Sequence, residues 1–466
     1  MIDCVVSRWH KQCGYKEILI LAWPLILCNC SLTIQQFVNR VFLSWYSSES
    51  LAASAPAGAF SFLAVCLFIG IAGYSSTFIA QYHGSGRNDR IASCFWQAFY
   101  LSIFFSLLVL CILPFSRRLF QLTGHPQALI NQELTYFNIM IAGGFFAIGG
   151  AALSGLFMGL GRTRVLLWSS GIATATNMIL DYLMIFGKCG FPEMGIRGAA
   201  IASVIGTAVG FVTLAVILLR GNIRSEYQLF EGAKLDLRLT RRIVRFGLPS
   251  GMQLLLDVLV WSIFLLFVGR ISVVALAATN LAFQINCISF MPTLGIGSAV
   301  GIIVARELGK NSPSNAATSV WSAIHMGISF NLLMAFVYIF APILLVYPFT
   351  AKADPAQGTA LFSTSVILLR YLSIYTIADA VSIIFSSALR GAGDTLYVMC
   401  VLIVIGISFM VVPTYYAVQP GGGGLIKAWL YVTIYVFILF TAFFLRFRQG
   451  KWKEMRVIEP QVAIID

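Results

Sequence analysis

The chain has 466 residues, of which 59% are hydrophobic and 11% are charged, and its mean hydropathy is +0.87. Soluble globular domains have about a quarter charged residues, so this composition excludes a water-soluble protein and indicates one embedded in lipid. The net charge of +13 does not require nucleic acid as a partner, because most Lys and Arg residues fall on one predicted side of the membrane.

Twelve apolar stretches follow one another along the chain, each long enough to cross a bilayer as a helix. The first stretch has no small-residue cleavage site behind it, so we expect a retained span rather than a signal peptide. The pattern predicts an all-α membrane protein with twelve transmembrane helices. The predicted spans are 16–38, 53–80, 92–116, 133–157, 165–187, 198–220, 246–268, 275–304, 317–348, 364–388, 396–418 and 425–446.

The longest polar segment, residues 221–245, divides the predicted spans into two sets of six. We therefore expect an N-terminal six-helix lobe at 1–220, a cytoplasmic inter-lobe loop at 221–245, and a C-terminal six-helix lobe with a short basic cytoplasmic tail at 246–466. The excess of Lys and Arg in alternate loops predicts that both termini are cytoplasmic. The expected location is the plasma membrane, which in bacteria is the inner membrane.

The two halves of the sequence resemble each other. The stretch "AQYHGSGRNDRIA" at 80–92 is similar to "ARELGKNSPSNAA" at 305–317, and "MGLGRT" at 158–163 is similar to "RGAGDT" at 390–395. Similar segments in the same order indicate an internal repeat. Because each half has an even number of spans, both keep the same orientation, which predicts a pseudo-two-fold axis along the membrane normal.

Three carboxylates lie deep in predicted spans: Asp181, Asp257 and Asp379. An Asp at the centre of a membrane helix costs about 2.5–3.5 kcal/mol on insertion scales, and such residues usually mark an ion or proton pathway. Polar residues lie one turn from each acid, on the same helix face. They can coordinate a monovalent cation or can serve as hydrogen bonds between helices, and both alternatives stay open. These polar residues are Asn177, Gln253 and Tyr375, and a fourth pair consists of Asn280 and Gln284.

Motifs for catalysis and for tightly bound metals are not found in the sequence. The ten cysteines form no Cys-x-x-Cys pair, and the four histidines are far apart in the chain. No nucleophile with a neighbouring base stands out. We therefore expect a protein that is not an enzyme and that has no cofactor.

Four stretches are similar to the multidrug and toxic compound extrusion (MATE) family, in its NorM-like branch. They are "NMILDYLMIFGKCGFPEMGIRGAAIAS" at 177–203, "ALRGAGDT" at 388–395, "FGLPSGMQLLLD" at 246–257 and the "GSGRND" loop before residue 90. The resemblance covers nearly the whole chain in order. It implies a twelve-helix, two-lobe antiporter that expels organic cations by alternating access while sodium ions or protons flow inward.

The resemblance also assigns roles to residues. Asp257 matches the acidic position of the seventh helix, which is usually Glu, and Asp379 and Tyr375 match the acid and tyrosine of the tenth helix. Ion coupling, with a monovalent cation or a proton at the two acids, is therefore predicted at Asp257, Asp379, Tyr375, Asn280 and Gln284. A polar cluster for ion or substrate is predicted in the N-terminal lobe at Asn39, Asn177, Asp181 and Ser203.

One residue departs from the family pattern. Asn39 occupies a position where the family has Asp, and a neutral amide cannot titrate. This departure counts against proton coupling through the N-terminal lobe, so the main ion site is expected in the C-terminal lobe. Asn39 can still offer its oxygen to a cation beside Asp181.

The predicted function is a cation-coupled multidrug efflux antiporter for organic, mostly cationic compounds, acting as a monomer. We expect the substrate in a central cavity between the lobes, lined by aromatic residues and by Asp181. Sodium and proton coupling stay open. The alternative is a lipid or lipid-linked sugar flippase of the same superfamily, although acidic rather than basic residues lie deep in the spans.

Overall fold

The computed structural model describes residues 8–9, 11–122, 124–221, 223–350, 355–419 and 421–459. These residues form eighteen α-helices joined by short turns, with three brief 3-10 segments and one π-helical segment. The first ten helices are α1 Tyr15–Tyr46, α2 Ser48–Gly73, α3 Ser75–Gly84, α4 Asn88–Leu110, α5 Ser116–Gln121, α6 Gln127–Ala142, α7 Gly144–Gly159, α8 Thr163–Phe186, α9 Ile196–Arg220 and α10 Ile223–Glu226.

The remaining eight helices follow the inter-lobe segment. They are α11 Leu237–Gly269, α12 Val273–Gly309, α13 Pro313–Phe340, α14 Pro342–Thr350, α15 Pro355–Ala392, α16 Thr395–Ile405, α17 Val412–Val418 and α18 Gly424–Arg448. In the described residues, ten helices or helix pairs are long and apolar enough to cross a membrane, and the pair α6–α7 is an eleventh, bent by 41°. The one remaining predicted span, 165–187, corresponds to helix α8, which has 24 residues.

Each of the twelve predicted spans thus corresponds to a helix or to a broken helix, but several helices are interrupted where continuous ones were expected. Span 53–80 is divided between α2 and α3, and span 133–157 is divided at Gly143. A Cβ atom on Gly143 would lie 2.5 Å from the side chain of Val204, so glycine allows α9 to approach at this bend. Span 396–418 contains a π-helical segment over Gly406–Val411.

The described chain divides into two compact units, and the division differs from the predicted lobes at both termini. One unit holds the residues up to Ile26 together with Leu255–Arg456, and the other holds Leu27–Leu254 with the tail from Val457. The N-terminal part of α1 is held in the first unit, where Glu17 pairs with Arg306 and the Tyr15 hydroxyl lies 3.0 Å from Nδ1 of His325. The predicted boundaries, placed at loops, did not take such side-chain pairs into account.

The predicted inter-lobe loop is an ordered segment that packs on α4 in the unit of Leu27–Leu254. The indole N–H of Trp96 donates to the carbonyl of Leu229 at 2.7 Å, and the hydroxyl of Tyr100 donates to the carbonyl of Ala233 at 2.7 Å. Leu229 is buried. The segment predicted as a cytoplasmic inter-lobe loop therefore covers one face of α4.

The basic tail returns to the unit of Leu27–Leu254 at its last described residues. Val457 is buried, and its N–H donates to the side chain of Gln81 at 2.9 Å. Two residues later, the carboxylate of Glu459 accepts a hydrogen bond from the hydroxyl of Tyr82 at 2.8 Å. The same carboxylate pairs with three guanidinium groups, at 2.8 Å, 3.2 Å and 3.1 Å, which belong to Arg87, Arg90 and Arg242.

Turn geometry supports the internal repeat. The turn after α3 closes with Arg87 N–H donating to the carbonyl of Tyr82, and the turn after α12 closes with Ser312 N–H donating to the carbonyl of Glu307. Each turn needs one residue in the left-handed region, at Gly86 (φ +73°) and at Asn311 (φ +56°). These two residues are 225 positions apart, as the paired sequence stretches predicted.

Candidate functional site

A close approach of α8 and α9 builds the polar cluster in the unit of Leu27–Leu254. A Cβ atom on Gly206 would lie 2.8 Å from Cβ of Asn177, and one on Gly198 would lie 2.7 Å from the backbone of Met184. Small residues let membrane helices pack at short distance, where van der Waals contact replaces the hydrophobic drive that lipid does not supply. The predicted polar residues of α8 are therefore pressed directly against α9.

Three of the four residues predicted in this cluster are linked by hydrogen bonds. The amide of Asn39 on α1 and the amide of Asn177 on α8 each donate to Oγ of Ser203 on α9, both at 3.4 Å. All three side chains are buried. The structure thus brings side chains of α1, α8 and α9 together.

Asp181 completes this cluster and is fully buried. Among the described residues, neither of its carboxylate oxygens has a hydrogen-bond partner, and neither does the side-chain oxygen of Asn177 one turn earlier. Tyr136 on α6, which sequence reasoning missed, is buried and lies close enough to Ser203 and Asp181 to interact with both. Three oxygen acceptors without donors are a set that a proton or a small monovalent cation would satisfy.

The second group of acids lies in the unit that holds Leu255–Arg456. Asp257 on α11 and Asp379 on α15 are both half-buried, and their carboxyl groups are close enough to interact electrostatically. Asp257 also interacts with the guanidinium of Arg390, at the end of α15. The two acids predicted to form one ion site therefore do lie in the same neighbourhood.

Two buried tyrosines accompany these acids. Tyr375, predicted from sequence, lies one turn before Asp379 and interacts with it, and its hydroxyl has no hydrogen-bond partner in the part of the chain that the structure describes. Tyr435 on α18 interacts with both Asp257 and Asp379 and was not predicted. Its immediate neighbours, Ile434 and Val436, are apolar, so no polar stripe marked it.

Asn280 and Gln284 on α12 are placed differently from the other predicted residues. Both are exposed, whereas Tyr375 is buried. Within the described ranges, neither forms a hydrogen bond with Asp257 or Asp379. Their role in ion coupling stays a prediction, and no contact among the described residues supports it.

A third polar group was missed by sequence reasoning and is fully paired. Asn331 on α13 accepts from Ser289 and, at 2.9 Å, from Thr376, and its amide donates to Thr293 at 3.1 Å and to the carbonyl of Gly327 at 2.9 Å. The group ties α12, α13 and α15 together. Since its polar atoms have hydrogen-bond partners, we interpret this group as a structural link between helices rather than as a binding site.

Comparison with known sequences identifies the family of this chain. The model of the MatE family matches residues 24–183 and 249–415, which is most of the chain. The chain belongs to the MatE family. The two matched stretches contain all the residues predicted for ion coupling and, except for Ser203, those of the N-terminal polar cluster.

Curated relatives from this family carry multidrug resistance names. The chain is 25% identical over 448 residues to the "Probable multidrug resistance protein NorM" of Thermotoga maritima, with 95% of this chain and 94% of that protein covered. It is 28% identical over 377 residues to the "Multidrug resistance protein NorM" of Burkholderia vietnamiensis, with 80% of this chain and 81% of that protein covered.

Solved structures of transporters share the fold. A "multidrug resistance MATE family transporter of the MOP superfamily" in an outward-facing conformation aligns with a TM-score of 0.85 at 21% identity, covering 94% of this chain and 97% of that one. A transporter of the same superfamily from Pyrococcus furiosus, for which a "reverse polarity of binding pocket" is described, aligns with a TM-score of 0.84 at 21% identity over the same shares. The fold alone therefore does not decide the substrate.

Proposed function

We propose that this MatE protein is a multidrug efflux antiporter that exports organic, mostly cationic compounds in exchange for sodium ions or protons. Membership of the family and the multidrug resistance names of its relatives support export of drugs. The deep acids support a cationic coupling ion. The proposed site of coupling is the pair Asp257 and Asp379, assisted by Tyr375.

One observation carries the coupling step: two carboxyl groups, on α11 and α15, interact inside a membrane-spanning region. Two ionised carboxylates in one small site repel each other unless a proton or a cation lies between them. The ion-free protein therefore favours an arrangement that separates or hydrates the acids, and the ion-bound protein favours one that brings them together. A drug that binds one of these arrangements better is coupled to the ion.

The cluster around Asp181 supplies the second part of the proposal. Its unpartnered oxygens attract a positive charge, which is either the coupling ion or the cationic group of a drug. The acidic character of this buried cluster favours cationic cargo over the anionic pyrophosphate of a lipid-linked sugar. Asn39 contributes an amide in place of a titratable acid, so we assign it positioning of Ser203 rather than proton exchange.

Export from proteoliposomes tests the proposal. The purified protein is reconstituted, and the release of a fluorescent organic cation is followed under an imposed sodium gradient or an imposed pH gradient, each alone. We expect one of the two gradients to drive export. Asp257→Asn and Asp379→Asn should each abolish it, because a neutral amide cannot exchange charge with the coupling ion.

Matched variants control this experiment. Asp89→Asn makes the same change at an exposed position outside the deep clusters, at the start of α4, and should leave export intact. Asn39→Ala should weaken export less than Asp379→Ala does. Full export by both acid variants would overturn the coupling site, and movement of a labelled lipid-linked sugar without drug export would favour a flippase.

A further inference from the structure

An apolar groove lies in the unit that holds Leu255–Arg456, between α13, α15 and α18. Its volume is about 450 Å³, and its lining consists of aliphatic and aromatic side chains. Trp321 lies at the end of the groove near the start of α13, and Phe385 and Phe444 contribute from the C-terminal halves of α15 and α18. None of the deep acids lines this groove, so it is separate from the candidate ion site.

The groove opens to the outside of its unit. Ile374, Phe437 and Trp321, on its rim, are 55%, 42% and 39% exposed. The three helices that form the groove are all long and apolar enough to cross a membrane. An exposed apolar rim on such helices is suited to hydrocarbon rather than water, so the groove can accept the tails of lipids.

The groove is longest along α15, where its length is close to the thickness of one bilayer leaflet. Along α15 it extends from Ile374 to Phe385, which at a rise of 1.5 Å per residue is about 16 Å. The hydrocarbon core of a bilayer is about 30 Å thick, so half of it is about 15 Å. A single acyl chain, which occupies one leaflet, fits this dimension.

Positive charge lies just beyond one end of the groove. Arg448 is one helix turn past Phe444, and its guanidinium lies 5.7 Å from the centre of the Phe444 ring. It is exposed, and it has no acidic partner among the described residues, whereas nearby Arg446 is paired with Asp394. The exposed side chains of Lys451 and Lys453 follow. A basic group at the end of a membrane-spanning helix is expected at the level of lipid headgroups, where it attracts a phosphate.

We propose that this groove binds one acyl chain of an anionic phospholipid, whose phosphate contacts Arg448. The apolar lining accommodates the acyl chain of the lipid, and the basic end of α18 favours an anionic headgroup over a zwitterionic one. The bound chain contacts Ala378, next to Asp379 on α15. The lipid thereby stabilises the helix that carries one of the deep acids, whichever ion that acid binds.

Native mass spectrometry of the full-length protein in detergent tests the proposal. Phosphatidylglycerol and phosphatidylcholine with identical chains are added in turn to delipidated protein. We expect one retained lipid and a preference for phosphatidylglycerol of about fivefold, the ratio that one basic side chain near an anionic headgroup supplies. Arg448→Gln should remove the preference. Lys427→Gln, which neutralises an exposed charge at the other end of α18, should keep it.

A second pair of variants tests the acyl chain. Ile328→Trp places a large side chain inside the groove and should abolish retention of both lipids, while Leu333→Trp, at an exposed position of the same helix, should not. Equal retention by the two tryptophan variants, or equal affinity of the wild-type protein for the two lipids, would overturn the proposal.

Fluorescence provides a test that does not depend on filling the groove. Phosphatidylglycerol with brominated chains should quench the emission of Trp321, and Trp321→Phe should remove that quenched component. Quenching that is unchanged in Trp321→Phe would place the lipid elsewhere and contradict the proposal. Thermal unfolding of each variant without lipid shows whether the fold is retained before lipid binding is compared.

Discussion

Asp181 and Asn331 show two opposite ways of placing a polar side chain inside membrane-spanning helices. The side-chain oxygen and amide of Asn331 are all hydrogen-bonded, whereas both oxygens of Asp181 have no partner in the described chain. A buried polar group without a partner costs about 1–3 kcal/mol. Stability alone would not keep such a group, so the residue-scale contrast supports a functional role for Asp181.

This contrast predicts opposite effects of two substitutions on stability. Asn331→Val should lower the free energy of unfolding by about 2 kcal/mol, because Ser289, Thr293 and Thr376 each lose one hydrogen bond. Asp181→Asn should leave stability unchanged or raise it, and should reduce drug export. Thermal unfolding in detergent, combined with transport, measures both effects. A large loss of stability in Asp181→Asn would indicate a structural carboxylate.

The repeated turn offers a test of backbone strain with an internal control. Asn311→Gly should be neutral or slightly stabilising, because glycine adopts a positive φ without steric cost. Gly86→Ala should lose about 1 kcal/mol from strain alone, since a Cβ atom there meets no neighbour within 4 Å. Thermal unfolding of both variants checks the prediction. A strong loss in Asn311→Gly would show that the amide side chain, rather than φ, matters.

At the scale of elements, the structure shows which contacts hold helices and segments in place. The amino-acid composition did not predict these contacts. Helix α9 approaches α8 through Gly198, Gly206 and Gly210, so the small residues determine which polar groups meet. The tail is fixed by a different means, the ionic network of Glu459. Burial opposes ionisation of Glu459, but hydrogen bonds and the guanidinium groups outweigh it and hold its pKa below the usual 4.5.

The lowered pKa predicts a pH dependence of tail attachment. Ionised Glu459 contributes stability above its unfolded pKa of about 4.5, and this contribution disappears as pH falls through the lower folded pKa. Glu459→Gln should therefore cost about 1 kcal/mol at pH 7. The difference from wild type should stay constant down to about pH 5 and vanish in more acidic buffer. Thermal unfolding across pH, with exposed Glu454→Gln as the control, tests this.

At the scale of the whole molecule, each unit contains its own intramembrane acidic centre. Asp181 lies in one unit, and Asp257 with Asp379 lies in the other. Coupled export requires only that ion and drug prefer different states of the protein. With two acidic centres, one can respond mainly to the ion and the other mainly to the drug. The effect of ion binding on drug binding can then be measured with binding isotherms.

This linkage predicts competition between ion and drug. Sodium, or acid if protons are the coupling ion, should weaken the binding of a fluorescent organic cation to the purified protein. By reciprocity, the drug should weaken ion binding by the same factor. Binding isotherms at low and high sodium, repeated across pH, measure both factors. Isotherms that respond to neither ion would contradict antiport, even if export from cells is observed.

The sequence by itself determined which segments form helices, the repeat and the deep acids, but not where those helices are interrupted. Apolar runs of about 20 residues must become helices in lipid, because each backbone polar group needs a partner within its own segment. The turns at Gly86 and Asn311 are likewise local, since a residue that tolerates positive φ marks them. The presence of acids within apolar runs needs no tertiary information, and the roles expected for them rest on the resemblance of the surrounding motifs to the family.

Only the tertiary structure decided which polar groups are paired and which are left without partners. Tyr136 and Tyr435 join the acidic centres from other helices, Asn280 and Gln284 are exposed, and the tail is held by the unit of Leu27–Leu254. The reason is physical: hydropathy and turn chemistry act within a few residues, whereas the partner of a side chain depends on which helix faces it. That choice is made by packing across hundreds of residues, through contacts such as those of the glycines in α9.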